Sequence, residues 1–242
     1  MAACNIKECN LDSYEENEQC ILHCSKPLSD TPHTTPAILS LFYGHLIDYI
    51  VDFIFSKQDE NGLFNREKVK KDLLAEGNES GGLLQNSIRD ESIIFEDIVF
   101  PYTDNRDHFD YAKLMRKVNE VHFIKCTFFI HRLQLTKTKC FFEECTFNSQ
   151  WKLSNINILE SSNDVLYQGC TFNSIVSTTT DLSIRSNITH KLFRDCDFKK
   201  SIELYDTQFD SPIFDNSSHG VNNIKKLLIH GCNVNSRFIL NK

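Results

Sequence analysis

The sharpest chemistry in the sequence lies near its start. Cys4-x4-Cys9-x10-Cys20-x2-His23 sets two thiols close together, then a ten-residue loop, then a Cys-x2-His pair. Spacing of this kind can close a tetrahedral zinc site. Three thiolates and one imidazole leave no coordination position for water, so zinc held there would be structural rather than catalytic. The surrounding residues, CNIKECNLDSYEENEQCILHC, are polar with few apolar members, as expected of a small segment that needs a staple to fold. Cys24 is an alternative ligand in place of His23. Unrelated cysteines in a loose N-terminus are the bland explanation, but three Cys and one His within 20 residues favour zinc.

Little else in the chain has the spacing of a reactive site. There is no Gly-x-Ser-x-Gly, P-loop, dinucleotide fingerprint or His-Glu-x-x-His. A non-enzyme is therefore expected, and no small-molecule substrate is evident. At 242 residues, with 40% hydrophobic and 24% charged content, the chain can bury a substantial core as a soluble protein. MAACNIKECN has no basic-then-apolar leader pattern, and ten unevenly spread cysteines do not read as a disulfide framework. Both point to a reducing cytoplasm. The Asn-, Lys- and Phe-rich composition gives an impression of a bacterial source. Charge is unevenly shared: residues 1–120 hold 12 Lys+Arg against 22 Asp+Glu, net −10, while 121–242 hold 14 against 11, net +3.

The remaining cysteines belong to a recurring phrase: FIKCTF (123–128), FEECTF (142–147), YQGCTF (167–172), FRDCDF (193–198) and a worn IHGCNV (229–234). Cys126, Cys145, Cys170, Cys196 and Cys232 occupy its same place, 19, 25, 26 and 36 residues apart, and Cys140 lies five before Cys145. Thr207 in TQF (207–209) is a further match, with Thr in the Cys place. Parsed in fives, as in Cys140-Phe-Phe-Glu-Glu then Cys145-Thr-Phe-Asn-Ser, a small residue is followed two places later by a large apolar one. If each five forms one side of a square coil, four return the chain to its start, and coils stack at the inter-strand distance of roughly 4.8 Å. Phe then points inward, and Cys fills the tight position beside it as a small buried hydrophobe. Intervals of 25 and 26 imply extruded loops, as at 157–165 and 177–188. A metal ladder along the coils is not expected, because His122, His131, His190, His219 and His230 do not recur in register.

Over residues 121–241 this pattern resembles the pentapeptide-repeat family, with Cys where that family often has Ala. The resemblance implies a mainly β fold, a right-handed quadrilateral β-helix. It also suggests a second reading, since some members mimic duplex DNA and bind DNA gyrase. That role needs a long, strongly acidic helix, and a repeat half at +3 departs from it.

Between knuckle and repeats, helices are expected. After a linker at 25–36, one begins near Pro36 with Thr34 or Thr35 as cap. Its apolar stripe comprises Ile38, Leu41, Phe42, His45, Leu46, Tyr49, Ile50, Phe53 and Ile54, widened by Val51 and Phe55. The run 38–55 sits at the short end for a membrane span and carries His45, Asp48 and Asp52, so a buried or interface helix is expected. A second helix fits 65–77, with Asn65 as cap and Gly77 as stop, followed by a loop at 77–82. Residues 92–101 alternate like a strand that begins or caps the β-helix. Residues 104–121 read as a short helix in which His108 and Asp110 are surface or capping groups.

The organisation is thus a zinc-knuckle-like segment (1–30), a helical cap (31–91) and a repeat β-helix with inserted loops (92–242). A helical cap would cover one open end, while RFILNK at the other is still in register, implying end-to-end stacking or a longer protein. The expected role is a binding scaffold for a protein partner or a second copy, with the 38–55 helix as a docking candidate. Direct nucleic-acid binding, suggested by Lys191, Arg194, Lys199 and Lys200, is opposed by the acidic N-terminal half.

Overall fold

The computed structural model describes residues 3–7, 9–26, 35–56, 65–74, 92–102, 109–118, 120–130, 133–156, 158, 163–178, 190–210, 212–215 and 221–234. Short parallel strands stacked coil on coil form a β-solenoid, with helices at its N-terminal end.

One wall is a 6-stranded sheet. It stacks β1 (Ser92–Glu96), β3 (Glu120–Ile124), β5 (Lys139–Glu143), β8 (Val165–Gln168), β11 (Lys191–Arg194) and β14 (Phe214–Asp215) in that order. The register aligns Phe95, Phe123, Phe142, Tyr167, Phe193 and Phe214. Their rings form a column with successive centroids 5.5, 4.9, 4.8, 5.2 and 5.7 Å apart. The adjoining wall stacks β2 (Val99–Phe100), β4 (Thr127–Phe128), β6 (Thr146–Phe147), β9 (Thr171–Phe172) and β12 (Asp197–Tyr205). It aligns Phe100, Phe128, Phe147, Phe172 and Phe198, with centroids 5.0, 5.0, 4.6 and 4.9 Å apart. β7 (Trp151–Lys152) and β10 (Val176–Ser177) join this sheet through the far end of β12, and β15 (Asn223–His230) pairs with β12 as the next layer.

The phrase is explained by the corner between these walls. Its first aromatic belongs to one ring column and its final Phe to the other. The residue before the Cys place, which Ile98 fills in the first layer, turns the chain with positive φ: Asp97 (56°), Lys125 (54°), Glu144 (51°), Gly169 (63°) and Asp195 (57°). The left-handed region disfavours side chains with a Cβ. Asp and Gly are the residues that tolerate it most readily, and their presence at 97, 169 and 195 was the unread signal for this corner. Backbone bonds tie each corner to the next: Thr146 N–H donates to the Cys126 carbonyl and Thr171 N–H to that of Cys145, both at 2.8 Å.

Several expectations shift here. Cys232 does not continue the column of Cys126, Cys145, Cys170 and Cys196. The pairing of β13 (Gln208–Phe209) with β16 (Asn233–Val234) sets it over Thr207 at a second corner, where Asp206 (46°) and Gly231 (65°) make the turns. The interval of 36 therefore spans a coil plus further sides. Thr207 does take the Cys place, donating from Oγ1 to the Tyr205 carbonyl at 2.7 Å.

The run 92–101 begins the solenoid and bends at Asp97 into β1 and β2. The helix expected at 104–121 is α3 (Tyr111–Met115) among the described residues, with Asp110 capping it by accepting Lys113 N–H at 2.8 Å. Glu120 and Val121 are already strand, because they pair with Ser92 and Ile93 one layer up. His108, His131, His219, Gly77, Thr34, the loop 77–82, RFILNK and most of the linker and inserted loops lie outside the described residues.

α1 (Pro36–Ser56) starts with Thr35 Oγ1 accepting Ile38 N–H at 3.4 Å, and α2 (Arg66–Leu74) starts with Asn65 Oδ1 accepting Glu67 N–H at 2.8 Å. α1 lies over the first coil. Phe42 packs edge-on against Phe100 at 5.9 Å, and Tyr49 stacks on Phe95 at 5.6 Å while its hydroxyl donates to the Ile94 carbonyl at 2.7 Å. Its buried face is rotated from the expected stripe. Leu39 and Ile47 are inside, whereas Leu41 is 42% and Phe55 46% exposed. Part of the apolar surface of α1 is therefore spent on the first coil and part on α2. Its length and mean hydropathy of 1.6 would also suit a membrane span.

Candidate metal centre

Backbone bonds shape the knuckle before any side chain meets another. Cys4 N–H donates to Leu11 O at 3.0 Å, Asn5 N–H to Glu18 O at 2.9 Å, and His23 N–H to Cys20 O at 3.1 Å. These fold residues 3–24 so that the donor atoms of Cys4, Cys9, Cys20 and His23 all lie within 4.8 Å of one another. Individual separations are 3.7 Å for Cys9 Sγ to Cys20 Sγ, 3.5 Å for Cys4 Sγ to His23 Nδ1 and 3.2 Å for Cys20 Sγ to His23 Nδ1. Tetrahedral bonds of zinc length to sulfur and nitrogen require edges of about 3.8 Å for S···S and about 3.6 Å for S···N. The group could hold a metal ion. His23, not Cys24, is its fourth member, and Cys24 is buried beside it with its thiol pushed up by burial.

The surroundings fit thiolate ligands. Burial raises the Cys4 thiol, but backbone N–H groups of Cys20 and Ile6 and the neighbouring thiols outweigh it, leaving its pKa below the usual value. The Cys20 N–H reaches Cys4 Sγ at 3.2 Å. Burial pushes Cys9 up and Cys20 to about 12, against opposing N–H donors from Leu11 on Cys9 and from Leu22 and His23 on Cys20. A metal binding near neutral pH must therefore displace thiol protons. Burial also lowers the pKa of His23, and the Glu96 carbonyl takes a hydrogen bond from its ring. Such a partner on the second nitrogen fixes a ligating imidazole's tautomer and orientation.

The phrase cysteines are arranged for the opposite purpose. Cys126, Cys145, Cys170 and Cys196 are buried free thiols, one per layer. Each donates to a carbonyl one layer up, of Phe95, Phe123, Phe142 and Tyr167, at 3.2, 3.3, 3.5 and 3.5 Å. Burial pushes Cys145, Cys170 and Cys196 well above the ordinary thiol value, the signature of packing rather than reactivity.

The basic residues weighed for nucleic acid are mostly committed to carboxylates. Arg194 bonds Asp164 at 2.6 Å and Asp215 at 2.5 Å, Lys191 meets Asp215 at 3.1 Å, and Lys199 pairs with Asp197. One cation was not singled out from the sequence. Lys26 is 2% exposed, and burial lowers its pKa to about 7.

Comparison with known protein families, with curated proteins and with solved structures found no match.

Proposed function

We propose that this protein is a non-enzymatic scaffold: a pentapeptide-repeat type of β-helix whose N-terminal end is closed by a structural zinc knuckle and by α1. It presents its rigid outer faces to a protein partner or to a second copy of itself, in a cytoplasmic setting. The observation that supports this most is the filled interior. Two columns of stacked rings and a ladder of hydrogen-bonded thiols occupy the coil, so recognition is left to the outside. Zinc is favoured by the donor set, since three sulfurs and one nitrogen at tetrahedral spacing suit it.

α1 contributes less to docking than its hydropathy suggests, because part of its apolar face already packs on the first coil and on α2, leaving Leu41 and Phe55 exposed. Nucleic acid is an unfavoured partner, since Arg194, Lys191 and Lys199 are paired with carboxylates. The same pairing and the near-neutral repeat half also disfavour the gyrase-binding DNA mimic.

Native mass spectrometry of the cell-purified chain, set against its denatured mass, tests the proposal. One zinc per chain in a dimer, or with an identified co-purifying protein, is the expected result. A metal-free monomer that retains no partner would contradict it.

A further inference from the structure

Lys26 stands where the knuckle, α1 and the first coil meet. Its Nζ donates to the carbonyls of Leu22 (3.4 Å), Cys24 (3.0 Å) and Val99 (2.6 Å) and lies 4.6 Å from the centroid of the Phe42 ring. Val99 opens β2, the outermost strand of its sheet, and its own N–H donates to the Leu22 carbonyl at 2.9 Å. Both backbone groups of this edge residue are thus taken by the knuckle, one by Leu22 and one by Lys26. An open edge of this kind invites pairing with another chain. Phe42, under the ammonium, is the ring through which α1 packs on Phe100.

The charge on Lys26 needs an explanation. Among the described residues its hydrogen bonds go to neutral carbonyls, and a buried ammonium without an opposite charge is costly. The groups that can supply one are thiols of the knuckle region, Cys24 and the ligand candidate Cys20, which act on the ammonium. A divalent ion with three thiolates and a neutral imidazole carries one net negative charge, delocalised over the sulfurs. On the zinc reading above, on which this rests, we infer that Lys26 is a positioning residue that couples metal binding at Cys4, Cys9, Cys20 and His23 to closure of the solenoid's first layer. The metal–thiolate charge holds the ammonium in place, and the ammonium holds the edge of β2. Coupling of this kind is reciprocal, so docking of the knuckle on Val99 also tightens the metal. The His23 ring bonded to the Glu96 carbonyl, at the end of β1, is a second tie between the same two parts.

The test uses the full chain with zinc alone as ligand. Amide exchange at Val99 is followed with zinc bound and after chelation, and zinc affinity is measured by chelator competition for the native chain, Lys26→Met and Lys26→Arg. Native chain should lose Val99 protection on chelation while the amides of Thr146 and Thr171, deep in the coil, stay protected. Lys26→Met should bind zinc about 10–100-fold more weakly, the range seen when a group supporting metal ligands is removed. Lys26→Arg, which keeps the charge, should bind more tightly than Lys26→Met. Native chain that binds zinc but protects Val99 equally without it would overturn the coupling, and so would equal affinities for native chain and Lys26→Met. Failure of the native chain to bind zinc at all is a different result, and would remove the zinc reading itself along with the coupling.

Discussion

Cys4, Cys9 and Cys20 converge on one point with His23, whereas Cys126, Cys145, Cys170 and Cys196 are strung out one per layer along a corner. The residue type is the same and burial is comparable for most of them. What differs is where the thiols lead: toward one another in the knuckle, and to backbone carbonyls in the ladder. In the knuckle, backbone N–H groups point at sulfur, as the Cys20 amide does at Cys4, which favours thiolate. In the ladder the thiols point at carbonyls, which favours S–H. Backbone N–H groups reach sulfurs of both sets, and it is deep burial with a carbonyl accepting each thiol that marks the packing residues. On the proposed zinc reading the first arrangement depends on an added cation for its stability, while the second is complete within the chain.

The largest expected effect follows from that dependence. Cys20→Ser should abolish stoichiometric metal binding, measured by elemental analysis of the purified chain, since Cys20 lies beside both Cys9 and His23. Apparent stabilities of structural zinc sites in small peptides run to about 10–16 kcal/mol at pH 7, so the knuckle should lose its fold. Acidification should act in the same direction. Binding displaces protons from thiols whose pKa values burial raises, Cys20 to about 12, so metal affinity rises with pH throughout the range below that value. Zinc should be released as pH falls, with no metal retained once the sulfurs and His23 are protonated. An affinity independent of pH would sink this account.

In the coil the largest loss should come from the ring columns. Phe142 is fully buried between Phe123 and Tyr167 at 4.9 and 4.8 Å, so Phe142→Ala should cost about 3–5 kcal/mol. The loss is read from chemical denaturation, and zinc should stay bound to the folded fraction. Loss of metal stoichiometry in that fraction would blur the distinction between the two regions.

A smaller effect tests the corner. Gly169 has φ +63°, and a Cβ there would meet Glu144 Cγ at 3.5 Å, an ordinary contact. Gly169→Ala should therefore cost only the left-handed backbone penalty, about 1–2 kcal/mol, because space is not the obstacle. The non-glycine corners at Lys125 and Glu144 already bear that cost.

The smallest change in stability separates the two sets of thiols most directly. Iodoacetamide applied to the metal-depleted chain should modify Cys4, Cys9 and Cys20 of the opened knuckle and leave Cys126, Cys145, Cys170 and Cys196 untouched, as mapped by peptide mass. Labelling of the ladder at the knuckle's rate would mean that the coil opens readily, and the comparison would fail.

The sequence by itself determined the layered architecture and the cluster of Cys4, Cys9, Cys20 and His23 that could hold a metal ion. Both follow from local spacing. A period near five with Phe inward needs no long-range information, and Cys4, Cys9, Cys20 and His23 fall within one short segment. The caps at Thr35, Asn65 and Asp110 were legible for the same reason, as each acts within three residues of itself. Tertiary structure decided the rest. Cys232 reads like another copy of the phrase, but which corner it occupies depends on strand register between coils, and inserted loops hide the register from any count along the chain. The orientation of α1 was set by which of its faces met Phe95 and Phe100, not by its own periodicity. Lys26 would pass for a solvent-facing lysine in any window of sequence. It is buried because the carbonyl it satisfies belongs to Val99, distant in sequence, and only folding brings an edge strand and its cover together.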